Sequence, residues 1–224
     1  MRSRAKTKAL IGTAFLAVFV VIFLFVNYDI SSGFDASVFK LINSTLNVSS
    51  LNSFFVALSE YGREYFWIPV VALIWFLGKE KEKKGALLMV AVFIVIMIVG
   101  TLIKDGYYRA RPFLSLSGVN VLIAMPADSS FPSGHAMIVI GGAVAALLFL
   151  RKKYSIPLLI EALLVCYSRI YVGVHYPTDV IGGAFLGAGL ALMTYYLLAD
   201  SAIFSYVFKG LVHYYDRILK ALHV

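Results

Sequence analysis

The chain has 224 residues, of which 61% are hydrophobic and only 14% charged, with a mean hydropathy of +0.86. Soluble domains carry about 25% charged and about 45–50% apolar residues, so this excess is too large for one buried core and points to a chain whose solvent is lipid. The net charge of +8 does not imply nucleic acid, because the basic residues flank apolar runs and no nucleic-acid motif is present.

The first apolar run covers 9–26 and follows Arg2, Arg4, Lys6 and Lys8. It is long for a signal-peptide core, and Asn27, Tyr28 and Asp29 follow it instead of a small-residue cleavage site, so it reads as a retained helix. In the connection 27–65, Phe34, Val38, Leu41, Ile42, Leu46 and Leu51 recur at partly helical spacing. This predicts an amphipathic segment along the membrane interface, either a lid over a lipid entrance or a packed loop. Further spans are predicted over 61–78, 85–103, 135–150, 156–172 and 180–199, since crossing the hydrocarbon takes roughly 20 apolar residues. Glu161 lies inside the fifth of the six runs, at a depth that calls for a polar partner. Cys166, the single cysteine, can form no internal disulfide and reads as a packing residue. Gly183 and Gly187 have a GxxxG spacing that permits close helix approach, within the bundle in preference to between copies. In 203–224, Phe204, Val207, Phe208, Leu211 and Ile218 alternate with Lys209, Arg217 and Lys220, as in a surface anchor. Open strands cannot span a bilayer. The fold class expected is therefore all-α, one domain over 1–224, an integral membrane bundle of six transmembrane helices with an outer interfacial amphipathic segment.

Fourteen of the 20 basic residues fall on one side of this layout, in the N-terminal tail, the 79–84 run, Arg151–Lys153 and the C-terminal tail. The positive-inside rule then places both termini in the cytoplasm of a plasma (cell) membrane protein. Lys40, Arg63, Lys104, Arg109, Arg111 and Arg169 remain on the extracytoplasmic side.

Three segments on that outer side concentrate polar residues. The first, 104–112, carries Lys104, Arg109 and Arg111 before Pro112. A continuing helix would put Lys104, Tyr108 and Arg111 on one face, although Pro112 biases Arg111 away from helix. An ammonium and a guanidinium together suit a phosphate, one as a point charge and one as a bidentate fork. The second, 131–135, reads Phe-Pro-Ser-Gly-His. Ser133 is an N-cap candidate, Gly134 permits close approach of a ligand, and a helix N-terminus favours an anion. The third, 168–179, holds Arg169, His175 and Asp179, and the last two are spaced so that the carboxylate can fix one ring nitrogen and leave the other free to attack.

The pattern Lys-x6-Arg-Pro, Pro-Ser-Gly-His, Ser-Arg-x5-His-x3-Asp, from Lys104 to Asp179, resembles the type 2 phosphatidic acid phosphatase superfamily. That superfamily includes lipid phosphate phosphatases, bacterial phosphatases of polyprenyl diphosphates and vanadium haloperoxidases. The resemblance implies that His175 is the nucleophile, forming a phosphohistidine, with Asp179 orienting its ring. It implies that His135 is the general acid and that Lys104, Arg111, Arg169, Ser133 and the Gly134 amide bind the phosphate oxygens. It also implies metal-independent chemistry with no cofactor, and a lipid phosphate substrate drawn from the membrane lipids. A polyprenyl (undecaprenyl- or dolichyl-type) diphosphate is the first choice, because glycan assembly outside the cytoplasm leaves such a carrier in the outer leaflet. Phosphatidic acid, phosphatidylglycerophosphate, a lipid phosphotransferase and a non-catalytic lipid-binding protein are the alternatives. The last is disfavoured by the presence of His135, His175 and Asp179 together. Arg109 lies outside the fixed positions, free to meet a second phosphate, a headgroup or solvent, and oligomeric state is not legible.

Overall fold

Pro, Gly and charged residues punctuate the apolar runs and set where the helices begin and end. In a computed structural model that describes residues 2–221, apart from the side chains of residues 2–5, 64 and 219, all regular structure is helical. The side chains of Arg2 and Arg4, and residues 222–224 of the amphipathic tail, lie outside the described residues. In chain order come α1 (Arg2–Asn27), α2 (Ser32–Lys40), a π-helical turn (Leu41–Thr45), a 3-10 turn (Ser49–Leu51), α3 (Asn52–Tyr61), α4 (Glu64–Leu77) and α5 (Glu80–Gly106). They are followed by α6 (Pro112–Ser115), α7 (Gly134–Phe149), α8 (Lys152–Tyr171), α9 (Pro177–Leu198) and α10 (Ala202–Ala221). The dipole explains the ends of α5: Glu80 and Glu82 occupy its first turn and Lys104 its last. Pro177 opens α9, where its missing N–H costs nothing, and the Asp179 carboxylate accepts the Tyr176 N–H at 2.8 Å.

Four helices are long and apolar enough to cross a membrane: Lys6–Asn27, Glu80–Gly106, Lys152–Tyr171 and Pro177–Leu198. Tyr65–Leu77 and Gly134–Phe149 are apolar but shorter. By length and composition, then, four of the six expected spans qualify among the described residues. The second expected span is cut at Gly62 and Arg63, and the run at 135–150 forms a helix about 24 Å long against a hydrocarbon core of about 30 Å. Leu10 and Leu24 on α1, Met97 and Leu102 on α5, and Ile160 and Leu163 on α8 are all exposed, an apolar perimeter suited to lipid.

Helix α9 lies between α1 and α7, while α5 and α8 flank α7, α4 packs on α5, and α3 packs on α8. The approach of α7 to α9 is set by Gly187, where a Cβ would stand 2.2 Å from the Met137 carbonyl oxygen. The GxxxG spacing therefore serves contacts inside the bundle. At one end of the bundle Lys8 lies over the Tyr195 ring at 4.2 Å, Phe149 meets Tyr195 at 5.8 Å, and Lys83 lies over Tyr215 at 4.0 Å. Helix α10 docks there through buried Phe204 and Phe208. All three motif segments gather at the opposite end. The connection before α4 packs onto that end by burying Asp35, Phe39 and Asn43. Glu161 departs from expectation: both its carboxylate oxygens are buried, with no hydrogen-bond partner among the described residues.

Candidate active site

The first motif does not continue as a helix. Helix α5 stops at Gly106, Tyr107 is extended, and Tyr108 is exposed, so the expected face of Lys104, Tyr108 and Arg111 is not formed. The two cations converge on Asp128 instead. Lys104 Nζ donates to Asp128 Oδ2 at 2.7 Å and Arg111 Nη2 to Asp128 Oδ1 at 2.6 Å. Lys104 also reaches the Ser129 carbonyl at 2.5 Å, and Arg111 Nε reaches the Asp128 carbonyl at 3.0 Å. Partial burial opposes ionisation of Asp128, but Lys104 and Arg111 outweigh it and hold the carboxyl down at about 2. Two cations thus grip two oxygens of one anion.

His175, in the short link between α8 and α9, is 1% exposed. Its Nδ1 lies 3.5 Å from Asp179 Oδ2, and its Nε2 lies 3.4 Å from Arg111 Nη1. The carboxylate side favours the proton on Nδ1, which leaves the Nε2 lone pair directed at the cation cluster. Burial pushes the imidazole down to about 3; the hydrogen bond to Asp179 opposes this and the Arg111 charge reinforces it. The ring is therefore neutral at ordinary pH, the state a nucleophile requires.

Asp179 is fully buried and held by shorter bonds than the one to His175. Arg109 Nη1 donates to Oδ1 at 2.5 Å and Ser130 Oγ to Oδ2 at 2.5 Å. The other side of Arg109 donates to Asp35 Oδ2 at 2.7 Å, and Thr178 donates to Asp35 through its N–H at 2.9 Å and its hydroxyl at 2.6 Å. Arg109 is accordingly a bridge between two buried carboxylates, stacked 4.4 Å over Tyr176. It is neither exposed nor turned toward Lys104 and Arg111.

Ser133 occupies the N-cap position of α7 without capping it. Its Oγ is buried with no hydrogen-bond partner among the described residues, and the same is true of Arg169 Nε. Such orphaned donors are costly in a dry site unless a ligand satisfies them. Arg169 is fixed at its other end by the Ser59 carbonyl at 3.0 Å and by the Ser59 hydroxyl. His135 and Arg169 share a cavity of about 550 Å³ with Ser59, Glu60 and Arg63. Beside it, Lys104, Asp128 and Gly134 border a cavity of about 330 Å³ whose remaining walls are mostly apolar, among them Trp67, Phe93 and Met97.

All eight predicted site residues lie at this end of the bundle. Asp35, Ser59, Asp128 and Ser130 were not legible as participants, and only the position of Asp128 and Ser130 just before the second motif offered a signal.

The PAP2 superfamily model matches residues 85–203. The chain belongs to the PAP2 superfamily. Among its PAP2 relatives, an undecaprenyl-diphosphatase of Sulfolobus acidocaldarius is 44% identical over 162 residues, covering 72% of this chain and 77% of that protein. The undecaprenyl-diphosphatase BcrC of Bacillus subtilis is 37% identical over 149 residues, covering 65% of this chain and 74% of that protein. The crystal structure of Aquifex aeolicus LpxE superposes with a TM-score of 0.64 at 27% identity, covering 72% of this chain and 94% of that one. Asp35, Ser59 and Arg63 precede the stretch that the PAP2 model matches.

Proposed function

We propose that this PAP2 protein removes the terminal phosphate of a polyprenyl diphosphate at the extracytoplasmic face of a cell membrane, through a phosphohistidine on His175. PAP2 membership makes it a phosphatase with the metal-independent chemistry general to that family, and its relatives make it a lipid phosphate phosphatase. One observation carries the finer reading: Lys104 and Arg111 clasp the two oxygens of Asp128 beside the unprotonated Nε2 of His175, 3.4 Å from Arg111 Nη1. A phosphate group offers the same acceptors with more charge, and the buried donors of Ser133 and Arg169 give it further partners.

The reaction follows from positioning and charge stabilisation. Nε2 attacks the terminal phosphorus, and the bond to the bridging oxygen breaks with its electron pair on that oxygen. His135 delivers a proton there, and polyprenyl monophosphate departs. Lys104, Arg111 and Arg169 stabilise the equatorial oxygens as charge spreads over them. A water then gives a proton back to His135 and attacks the phosphorus, and the P–N bond breaks with its electron pair on Nε2, which returns His175 and releases inorganic phosphate. Asp179 keeps the ring in its productive tautomer throughout.

The lipid tail is accommodated by the mostly apolar cavity that begins at Lys104 and runs between α4, α5 and α7. Six helices cross the bilayer in this reading, with α4 and α7 completing the four long spans. The separation of Lys8 and Lys83 from the motif end supports cytoplasmic termini and an outward-facing site. The relatives named as undecaprenyl-diphosphatases support the choice of a carrier diphosphate over phosphatidic acid or phosphatidylglycerophosphate.

The test is phosphate release from undecaprenyl diphosphate by detergent-purified protein in excess EDTA. Wild type is expected to turn over and His175→Ala to lose at least about a thousandfold. Well-folded wild type that spares this lipid while hydrolysing phosphatidic acid would overturn the substrate assignment.

A further inference from the structure

Arg63 is a cation that the mechanism leaves without a task. It sits at the junction of α3 and α4, before the stretch that the PAP2 model matches. Its Nη1 lies 3.7 Å from where a Cβ on Gly134 would stand, against the first turn of α7 and next to His135. Among the described residues it alone borders both cavities, the polar one with His135 and Arg169 and the mostly apolar one with Lys104 and Gly134. We propose that Arg63 and the first turn of α7 form a second phosphate subsite, which holds the phosphate that stays with the lipid. This rests on the reading of the substrate as a lipid diphosphate.

In-line displacement puts the leaving oxygen opposite Nε2 of His175, on the side of the acid His135. A lipid whose tail fills the apolar cavity and whose terminal phosphate fills the Lys104–Arg111 cradle must thread its inner phosphate between the two. Arg63 lines that apolar cavity together with Lys104 and Asp128, and it also lines the adjoining cavity of His135 and Arg169. As the bond to the bridging oxygen breaks, the inner phosphate gains charge, which a guanidinium there stabilises. A monophosphate ester leaves as an alcohol after accepting a proton and develops no lasting charge at that point. Arg63 therefore discriminates between diphosphate and monophosphate lipids. Arg109, which the mechanism also leaves without a bond to the substrate, bridges Asp35 and Asp179 instead of facing either cavity.

The position is also built. Arg63 has a non-helical backbone at φ −110° and ψ −99°. The preceding Gly62 is wedged against α8, where a Cβ would stand 2.5 Å from Val165 Cγ2. Helix α3, through Ser59, fixes Arg169 as well, so one element sets both cations around His135.

Two measurements on Arg63→Gln and Arg63→Lys test the subsite. The first is the ratio of kcat/KM for undecaprenyl diphosphate over undecaprenyl monophosphate. The second is competitive inhibition by methylenediphosphonate relative to orthophosphate, read with whichever lipid the wild type hydrolyses. Arg63→Gln is expected to lower the first ratio, and the relative affinity for methylenediphosphonate, by about ten- to a hundredfold, with partial recovery in Arg63→Lys. Equal losses on both lipids, or an unchanged methylenediphosphonate preference, would overturn the subsite. A wild type that ignores undecaprenyl diphosphate would instead sink the substrate reading. In that case the inhibition ratio still decides whether Arg63 binds a second phosphate.

Discussion

Asp128 illustrates how much of the site is decided by single charges. Its carboxylate lies between Lys104 and Arg111, where the proposed reaction holds the substrate phosphate, and its side chain is 56% exposed. Substrate must therefore displace an internal anion. Exposure limits what that anion is worth, so Asp128→Asn is expected to tighten inhibition by orthovanadate by only about three- to tenfold. Weaker inhibition in the variant would mean that Asp128 helps to shape the cradle instead of filling it. His175 offers a second test at this scale. Burial holds its pKa near 3, against the ordinary 6.5. Its folded-state pKa is lowered, so the ring stays neutral as pH falls through 6.5 and charges only near pH 3. Spectra of protein carrying 15N-labelled histidine should contain a ring that stays neutral down to about pH 4 and is absent from His175→Gln. Titration of that ring near 6.5 would contradict the buried, neutral nucleophile. The eight expected site residues were visible in the sequence because their three motifs set lysine, arginine and histidine in an apolar chain, where they have few structural reasons to occur together. Asp128 was not, since an acidic residue in an outer loop looks like any solvated carboxylate until the fold brings cations to it. The task of Arg109 was hidden for a related reason, as its partner Asp35 lies 74 positions away.

Among the elements, the junction of α7 with α9 governs the geometry of chemistry. Helix α7 begins at the Ser133–His135 motif, α9 begins next to His175, and the Ser133 N–H donates to the Asp179 carbonyl at 3.0 Å. The two helices meet along Gly183 and Gly187. Gly187→Leu forces a side chain into the Met137 backbone and is expected to cost at least about 1–3 kcal/mol. The cost should appear as a lowered midpoint in thermal unfolding in detergent, together with loss of activity. An unchanged midpoint with full activity would show that the helices can separate without consequence. Periodicity could locate these helices but not their ends. The run read as 61–78 divides because Gly62 packs against α8, a tertiary contact that composition cannot reveal. The connection before α4 was read from its spacing as a lid or a packed loop. Burial of Asp35, Asn43 and Ser59 agrees with the packed alternative and makes the segment a support for Thr178, Tyr171 and Arg169.

Across the whole molecule, charge and polarity are segregated along the bundle axis. Basic and aromatic residues of α1, α5, α9 and α10 close one end, and the cation cluster with its buried carboxylates occupies the other. An apolar perimeter lies between them. This is the arrangement a lipid substrate needs, since its tail stays in hydrocarbon while its phosphates enter a site of fixed donors. The membrane class followed from composition alone, whereas the number of crossings did not. Helix α7 is enclosed by α5, α8 and α9, so it does not need the length of a lipid-facing span. The central claim is that phosphate passes through His175, and rapid quenching tests it most directly. Protein mixed with undecaprenyl diphosphate carrying 32P in its terminal phosphate should form an acid-labile, base-stable phosphoprotein within a turnover, and His175→Gln should form none. Hydrolysis by wild type with no trapped label, or label that persists in His175→Gln, would contradict the account.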